Sequence, residues 1–175
     1  MSHDKVDKGS LRIRISGLSN GIHEYDFSAH PSAIGLDGNF TAPVAIHIHL
    51  DKAAHQIFFK ADISTSGQFE CDRCLEGFQQ QLKTGYSMLY LYDEEAAAKY
   101  QEEEVQIITP DTVYIDPAED IRQMVLLSVP LKLLCREECK GLCPHCGKNL
   151  NLATCTCETH NVDPRWDTLQ GLIDH

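Results

Sequence analysis

The chain has 175 residues, with 26 Asp and Glu against 15 Lys and Arg, a formal charge of −11, and 42% hydrophobic residues. That composition excludes a wholly disordered chain, leaves room for one compact domain with a small appendage, and contains no apolar run long enough to span a membrane. The opening MSHDKVDKGS lacks the apolar centre of a signal peptide, so a soluble, cytoplasmic protein is expected.

In chain order, residues 11–15 (LRIRI) alternate apolar and basic positions, as an edge strand does. Val44, Ile46, Ile48 and Leu50 share one face of VAIHIHL, and Ala45, His47 and His49 share the other. Ile57, Phe59, Ala61 and Ile63 repeat the pattern, with Asp51 to His55 short enough for a hairpin connection. A third long run covers 82–92, and VQII at 105–108 reads as a short strand. Between them, residues 93–104 carry six acids and one lysine and read as a solvated loop or short exposed helix. A helix near 117–129 is signalled by Asp116 as cap, Pro117 at its first position and Glu119 in capping-box register. Its apolar stripe is Ile121, Met124, Val125 and Ser128, and Pro130 ends it. A second, shorter helix is expected after the Asp163-Pro164 step, with Trp166, Leu169 and Leu172 or Ile173 inward. The expected fold is α+β: a strongly bent, barrel-like antiparallel sheet with one or two helices and a cysteine-rich tail. Its parts are a β-rich domain over 1–134, a metal knuckle over 135–160 packed on it, and a short helix over 161–175.

The eight cysteines fall into four close pairs: Cys71 and Cys74, Cys135 and Cys139, Cys143 and Cys146, Cys155 and Cys157. Close pairs suit a tetrahedral metal, because one tight turn brings two thiolates to one ion. In Gly141-Leu-Cys-Pro-His-Cys-Gly147, proline fixes the turn, and Gly147 can take the positive φ that lets amides face sulfur. Cys71 and Cys74, in FECDRCLEGF, are expected as a knuckle at a hairpin tip. All eight are candidate ligands for one or two zinc ions. The compact grouping puts Cys143, Cys146, Cys155 and Cys157 on one ion and joins Cys71 and Cys74 to Cys135 and Cys139. A rival, ribbon-like grouping joins Cys71 and Cys74 to Cys143 and Cys146. Cys155 and Cys157, two residues apart, would face opposite ways in a strand and must sit on a turn.

The sequence Cys143-Pro-His-Cys146 also allows a thiol–disulfide centre, but Gly147 follows at once and no helical pattern begins at Asn149 to Asn151, as a low-pKa thiol of that class needs. An iron-binding or redox-active module is the alternative to zinc. His47 and His49 share a strand face with no cysteine or carboxylate beside them in sequence, and His145, between two ligands, is expected to be exposed. No catalytic triad, phosphate-cradling glycine loop or paired-carboxylate motif occurs, so no enzyme is expected.

The run from Val129 to Cys157, VPLKLLCREECKGLCPHCGKNLNLATCTC, resembles the YceD family, and FECDRCLEGF agrees with it at Cys71, Arg73, Cys74 and Leu75. The resemblance is specific over these stretches and diffuse over the rest of the chain, where only the strand-helix order agrees. It implies a role in making or stabilising the large ribosomal subunit through accumulation of its RNA, and supplies no catalytic residue. The net charge of −11 favours a basic partner, so a ribosomal protein or pre-ribosomal large subunit is expected. Lys132, Arg136, Lys140 and Lys148 against Glu137 and Glu138 leave residues 132–148 only +2, so direct RNA contact is expected to be weak.

Overall fold

The computed structural model describes residues 11–97, 100–101 and 104–157. The strands are β1 (Ile13–Arg14), β2 (Gly21–Ala29), β3 (Val44–Lys52), β4 (Gln56–Glu70), β5 (Gly77–Leu91), β6 (Val105–Ile107) and β7 (Tyr114–Ile115). A 3-10 turn, Pro31–Ile34, follows β2, a short helix α1 (Glu94–Ala97) follows β5, and α2 (Ala118–Leu127) is the one helix longer than a turn among the described residues. The second expected helix, over 161–175, lies outside the described residues.

The five-stranded sheet runs β2-β3-β4-β5-β6, antiparallel except for the parallel β5–β6 pair. It is open, which corrects the barrel-like expectation. Closure requires the two outermost strands to pair with each other. Here β6 pairs over three residues only, and the chain then leaves to form β7, which pairs with β1 in a separate two-stranded sheet. One face is covered instead by α2, whose Ile121 and Val125 are buried against β4 and β5.

The alternation read from the sequence is the one that builds the core. Val44, Ile46, Ile48 and Leu50 of β3 and Ile57, Phe59, Ala61 and Ile63 of β4 are buried, while Ala45, His47, Phe58, Lys60 and Asp62 face outward. Phe59 sits at its centre, its ring 5.5 Å from Tyr86 and 6.2 Å from Tyr90. Leu11, Ile13 and Ile15 are buried with Ile115 beside them. The helix departs from the expected capping box. Asp116 Oδ1 accepts from the Ala118 amide at 3.2 Å, but Glu119 accepts from Arg122 and Gln123 instead of turning back to the cap.

Unequal strand lengths position the cysteines. Strand β3 pairs with β4 as far as Ser64, whereas β4 and β5 continue pairing to Glu70 and Gly77. The last six residues of β4 therefore form a two-stranded arm, about 20 Å long at roughly 3.4 Å per residue. Residues 39–40 lie across its root, with Gln68 N donating to Asn39 O at 2.8 Å and Phe40 bridging Gly67. A Cβ at Gly67 would stand 3.2 Å from Asn39 O, so glycine permits this close crossing.

Candidate metal centres

Residues 71–76 are the tip of that arm, as the hairpin reading of FECDRCLEGF expects. The tip is a tight knuckle: Cys71 N donates to Glu76 O at 3.0 Å, and Leu75 N donates to Cys71 O at 2.9 Å. The knuckle at Cys143 has the same two bonds, Cys143 N to Lys148 O at 2.8 Å and Gly147 N to Cys143 O at 2.9 Å. The residue after the second cysteine takes positive φ in both, 71° at Gly147 and 58° at Leu75. Glycine does this without steric cost, whereas a leucine there is strained by about 1–2 kcal/mol. Leu75 is also exposed, so burial does not repay the strain. Replacing it by glycine is expected to leave stability unchanged or raise it by up to about 1 kcal/mol, while Leu75→Val lowers it by about 1 kcal/mol or more. Urea midpoints measure both, and a clear loss of stability in Leu75→Gly would contradict the strain argument.

The eight sulfurs form two tetrads, Cys71 with Cys74, Cys135 and Cys139, and Cys143 with Cys146, Cys155 and Cys157, each set lying within 4.8 Å of one another. This is the compact grouping, and the ribbon-like one does not occur. Within the first tetrad, Cys71 and Cys139 stand 3.8 Å apart and Cys74 and Cys135 3.7 Å. In the second, Cys155 lies 3.6 Å from Cys146 and 3.4 Å from Cys143. A tetrahedral ion with metal–sulfur bonds of about 2.3 Å sets its sulfurs about 3.8 Å apart, so the donor sets fit such an ion. All eight are free thiols, far from the roughly 2.05 Å of a disulfide. Cys155 and Cys157 lie on irregular backbone, which lets both face one point. His145 is exposed and outside the tetrad.

Each tetrad has a thiol primed for ionisation and at least one held protonated. The Cys135 amide, then those of Arg73 and Cys74, bring Cys71 down to about 6. The Cys146 and His145 amides do the same for Cys143, also to about 6. Burial pushes Cys135 up to about 12, and the bond to Cys155 pushes Cys157 up to about 12. Four crowded thiols cannot all carry charge unless a cation sits between them.

Several residues that spacing does not signal hold the tail to the arm. Asp72 and Leu133 bond reciprocally, Asp72 N to Leu133 O at 2.8 Å and Leu133 N to Asp72 Oδ2 at 2.7 Å. Arg73 Nη1 donates to Cys139 O at 2.8 Å and to Glu137 O at 3.1 Å, and Leu142 N donates to Arg73 O at 3.0 Å. Gly141, at φ 74°, passes so close that a Cβ there would meet Arg73 O at 2.9 Å. The outer sheet face brings His47 a partner distant in sequence. Asp26 of β2 lies 2.8 Å from His47 Nδ1 across the strands and raises its pKa, on an exposed strand face as expected. No helix among the described residues is long and apolar enough to cross a membrane.

A family model described as large ribosomal RNA subunit accumulation protein YceD matches residues 59–173. An uncharacterized protein of Mycobacterium bovis is 28% identical over 166 residues, 91% of this chain and 78% of the relative. The uncharacterized protein YlbN of Bacillus subtilis is 25% identical over 133 residues, 75% of each chain. In maize, the large ribosomal RNA subunit accumulation protein YCED homolog 1, chloroplastic, is 47% identical over 49 residues, 27% of this chain and 17% of that one. No solved structure matches. The match takes in β4 from Phe59, the arm and its tip, β5, α2 and both tetrads, and on that extent the chain belongs to the YceD family, implicated in accumulation of large-subunit ribosomal RNA.

Proposed function

We propose that the chain is a non-catalytic, zinc-binding accessory protein of the cytoplasm. It supports large-subunit RNA accumulation by binding a ribosomal protein or a pre-ribosomal large subunit. The observation that carries this reading is the pair of four-sulfur tetrads in a member of this family. Zinc suits them because an all-cysteine tetrahedral set leaves no open position for substrate, which is the pattern of a structural site. When bound, the ion supplies charge neutralisation and a rigid cross-link between arm and tail. Eight free thiols suit a reducing compartment.

Charge supports a basic protein as the partner. Residues 93–120 hold ten acids against one lysine, −9 of the chain's −11. Their described parts include α1, β6, β7 and the start of α2. Such a field speeds encounter with a cationic protein and repels bare RNA, while the +2 over 132–148 releases few counterions. Native mass spectrometry of purified protein is expected to show two zinc ions in a colourless sample; a red sample would mean iron. A lysate pull-down with nuclease treatment is expected to retain ribosomal protein. Tight binding to naked large-subunit RNA at physiological salt would overturn the partner assignment.

A further inference from the structure

We propose that the two tetrads are one coupled unit. Asn151, carried on the loop of the second, is a positioning residue for the Cys139 sulfur of the first. The inference deepens the zinc reading and rests on it.

The loop 147–154 is bounded at both ends by ligands of the second tetrad, Cys146 and Cys155. A metal there closes eight residues into a short loop and removes most of their freedom. The closed loop presents its polar side chains to the other centre. Asn151 Nδ2 donates to Cys139 Sγ at 3.3 Å, and Asn151 Oδ1 accepts from Lys140 N at 2.9 Å. Because the Lys140 amide can only donate, the Asn151 carboxamide oxygen must face it, and the NH2 group is left facing sulfur. Asn149 fixes Asn151 in turn: its Oδ1 accepts from Asn151 N at 2.9 Å and from Asn151 Nδ2 at 3.0 Å. Asn149 also crosses to the first knuckle, Nδ2 donating to Glu76 Oε1 at 3.4 Å. Leu150 N to Gly141 O, 2.9 Å, adds a backbone tie between loop and tail.

Four thiolates around a dication leave a net charge of −2, and N–H donors aimed at sulfur offset it. Removing such an outer-shell donor from a metal site typically weakens the metal about 10–100-fold. Filling the second site orders the loop that carries the donor, so it strengthens metal binding at the first, and linkage makes the effect reciprocal.

The test uses the full chain and zinc itself, with chelator competition followed by native mass spectrometry. Cys146→Ser/Cys155→Ser, which disables the second site, is expected to weaken zinc at the first about tenfold. Asn151→Ala with the second site intact is expected to give a similar loss, and combining the changes is expected to add little. Asn151→Asp keeps the acceptor for Lys140 but sets a carboxylate against sulfur, so the loss should be larger. In cobalt-loaded protein, Asn151→Ala should move the sulfur-to-metal charge-transfer band of the first site to longer wavelength, because an unbonded thiolate gives up its electron more easily. First-site affinity indifferent to both changes, or fully additive losses, would overturn the coupling while leaving zinc binding intact. A wild-type chain that takes up no zinc would overturn both.

Discussion

Replacing Cys71 by serine is expected to take the protein from two bound metal ions to one and to free the tail from the arm. Hydrogen exchange should accelerate over residues 131–142, while the amides of β3 and the sheet-bound half of β4 keep their protection. Cys71 is fully buried at the centre of a small cluster with Cys74, Cys139, Phe78, Leu134 and Cys135. That cluster is separate from the main core, and among the described residues the tail has no other buried cluster. A serine hydroxyl does not ionise near neutral pH, and it is a poor substitute for thiolate on a soft, sulfur-loving ion. What would remain are the Asp72–Leu133 pair, the Arg73 bonds, the Leu142 amide and the Asn149–Glu76 bond, each worth a net of about 1 kcal/mol near solvent. They cannot hold residues 131–142 in place against conformational entropy. The second site keeps its ion, since all four of its sulfurs lie outside the change. At saturating zinc the reciprocal coupling weakens the second site without emptying it, so loss of both ions from Cys71→Ser there would mean that the tetrads share ligands in solution.

How far the sequence discloses this arrangement depends on which interactions set each part. Strands β3 and β4 are legible because each buries one face fully, so the apolar residues fall on alternate positions. Strand β2 is not: it is an edge strand whose His23, Tyr25, Phe27 and Ala29 are only half-buried, so GIHEYDFSA carries a blurred pattern. Missing β2 also hides the Asp26 carboxylate that pairs with His47, because the partner is set by cross-strand register and not by spacing along the chain. Closure of the sheet is likewise a tertiary matter, decided by where β6 and β7 go. For the centres, close pairing names all eight sulfurs and the knuckle shape of Cys143. Geometry alone reveals that the first knuckle has the same backbone bonds with leucine in glycine's place. Arg73, Asn149 and Asn151 act through hydrogen bonds between segments far apart in sequence, which no periodicity reports.

Metal uptake is expected to release protons, and acid is therefore expected to empty the centres before it disturbs the sheet. At pH 7.5 in the metal-free protein, Cys71 and Cys143 at about 6 are already thiolates. Cys135 and Cys157, at about 12, are protonated. At Cys74 the Glu76 amide favours ionisation, but burial and the neighbouring Cys71 and Cys139 outweigh it, so this thiol too stays protonated. A tetrahedral ion needs all four thiolates, so the first centre gives up at least two protons and the second at least one. The sign follows directly. Release of the metal takes those protons back, so falling pH favours release, and rising pH through the neutral range favours retention. None of the residues in the main core is a cysteine, so far-ultraviolet circular dichroism of the sheet should change little across the transition. Calorimetric zinc titrations in buffers of different ionisation enthalpy count the protons. Uptake with no buffer dependence would mean that the tetrads are already fully ionised and that burial does not hold Cys74 and Cys135 protonated.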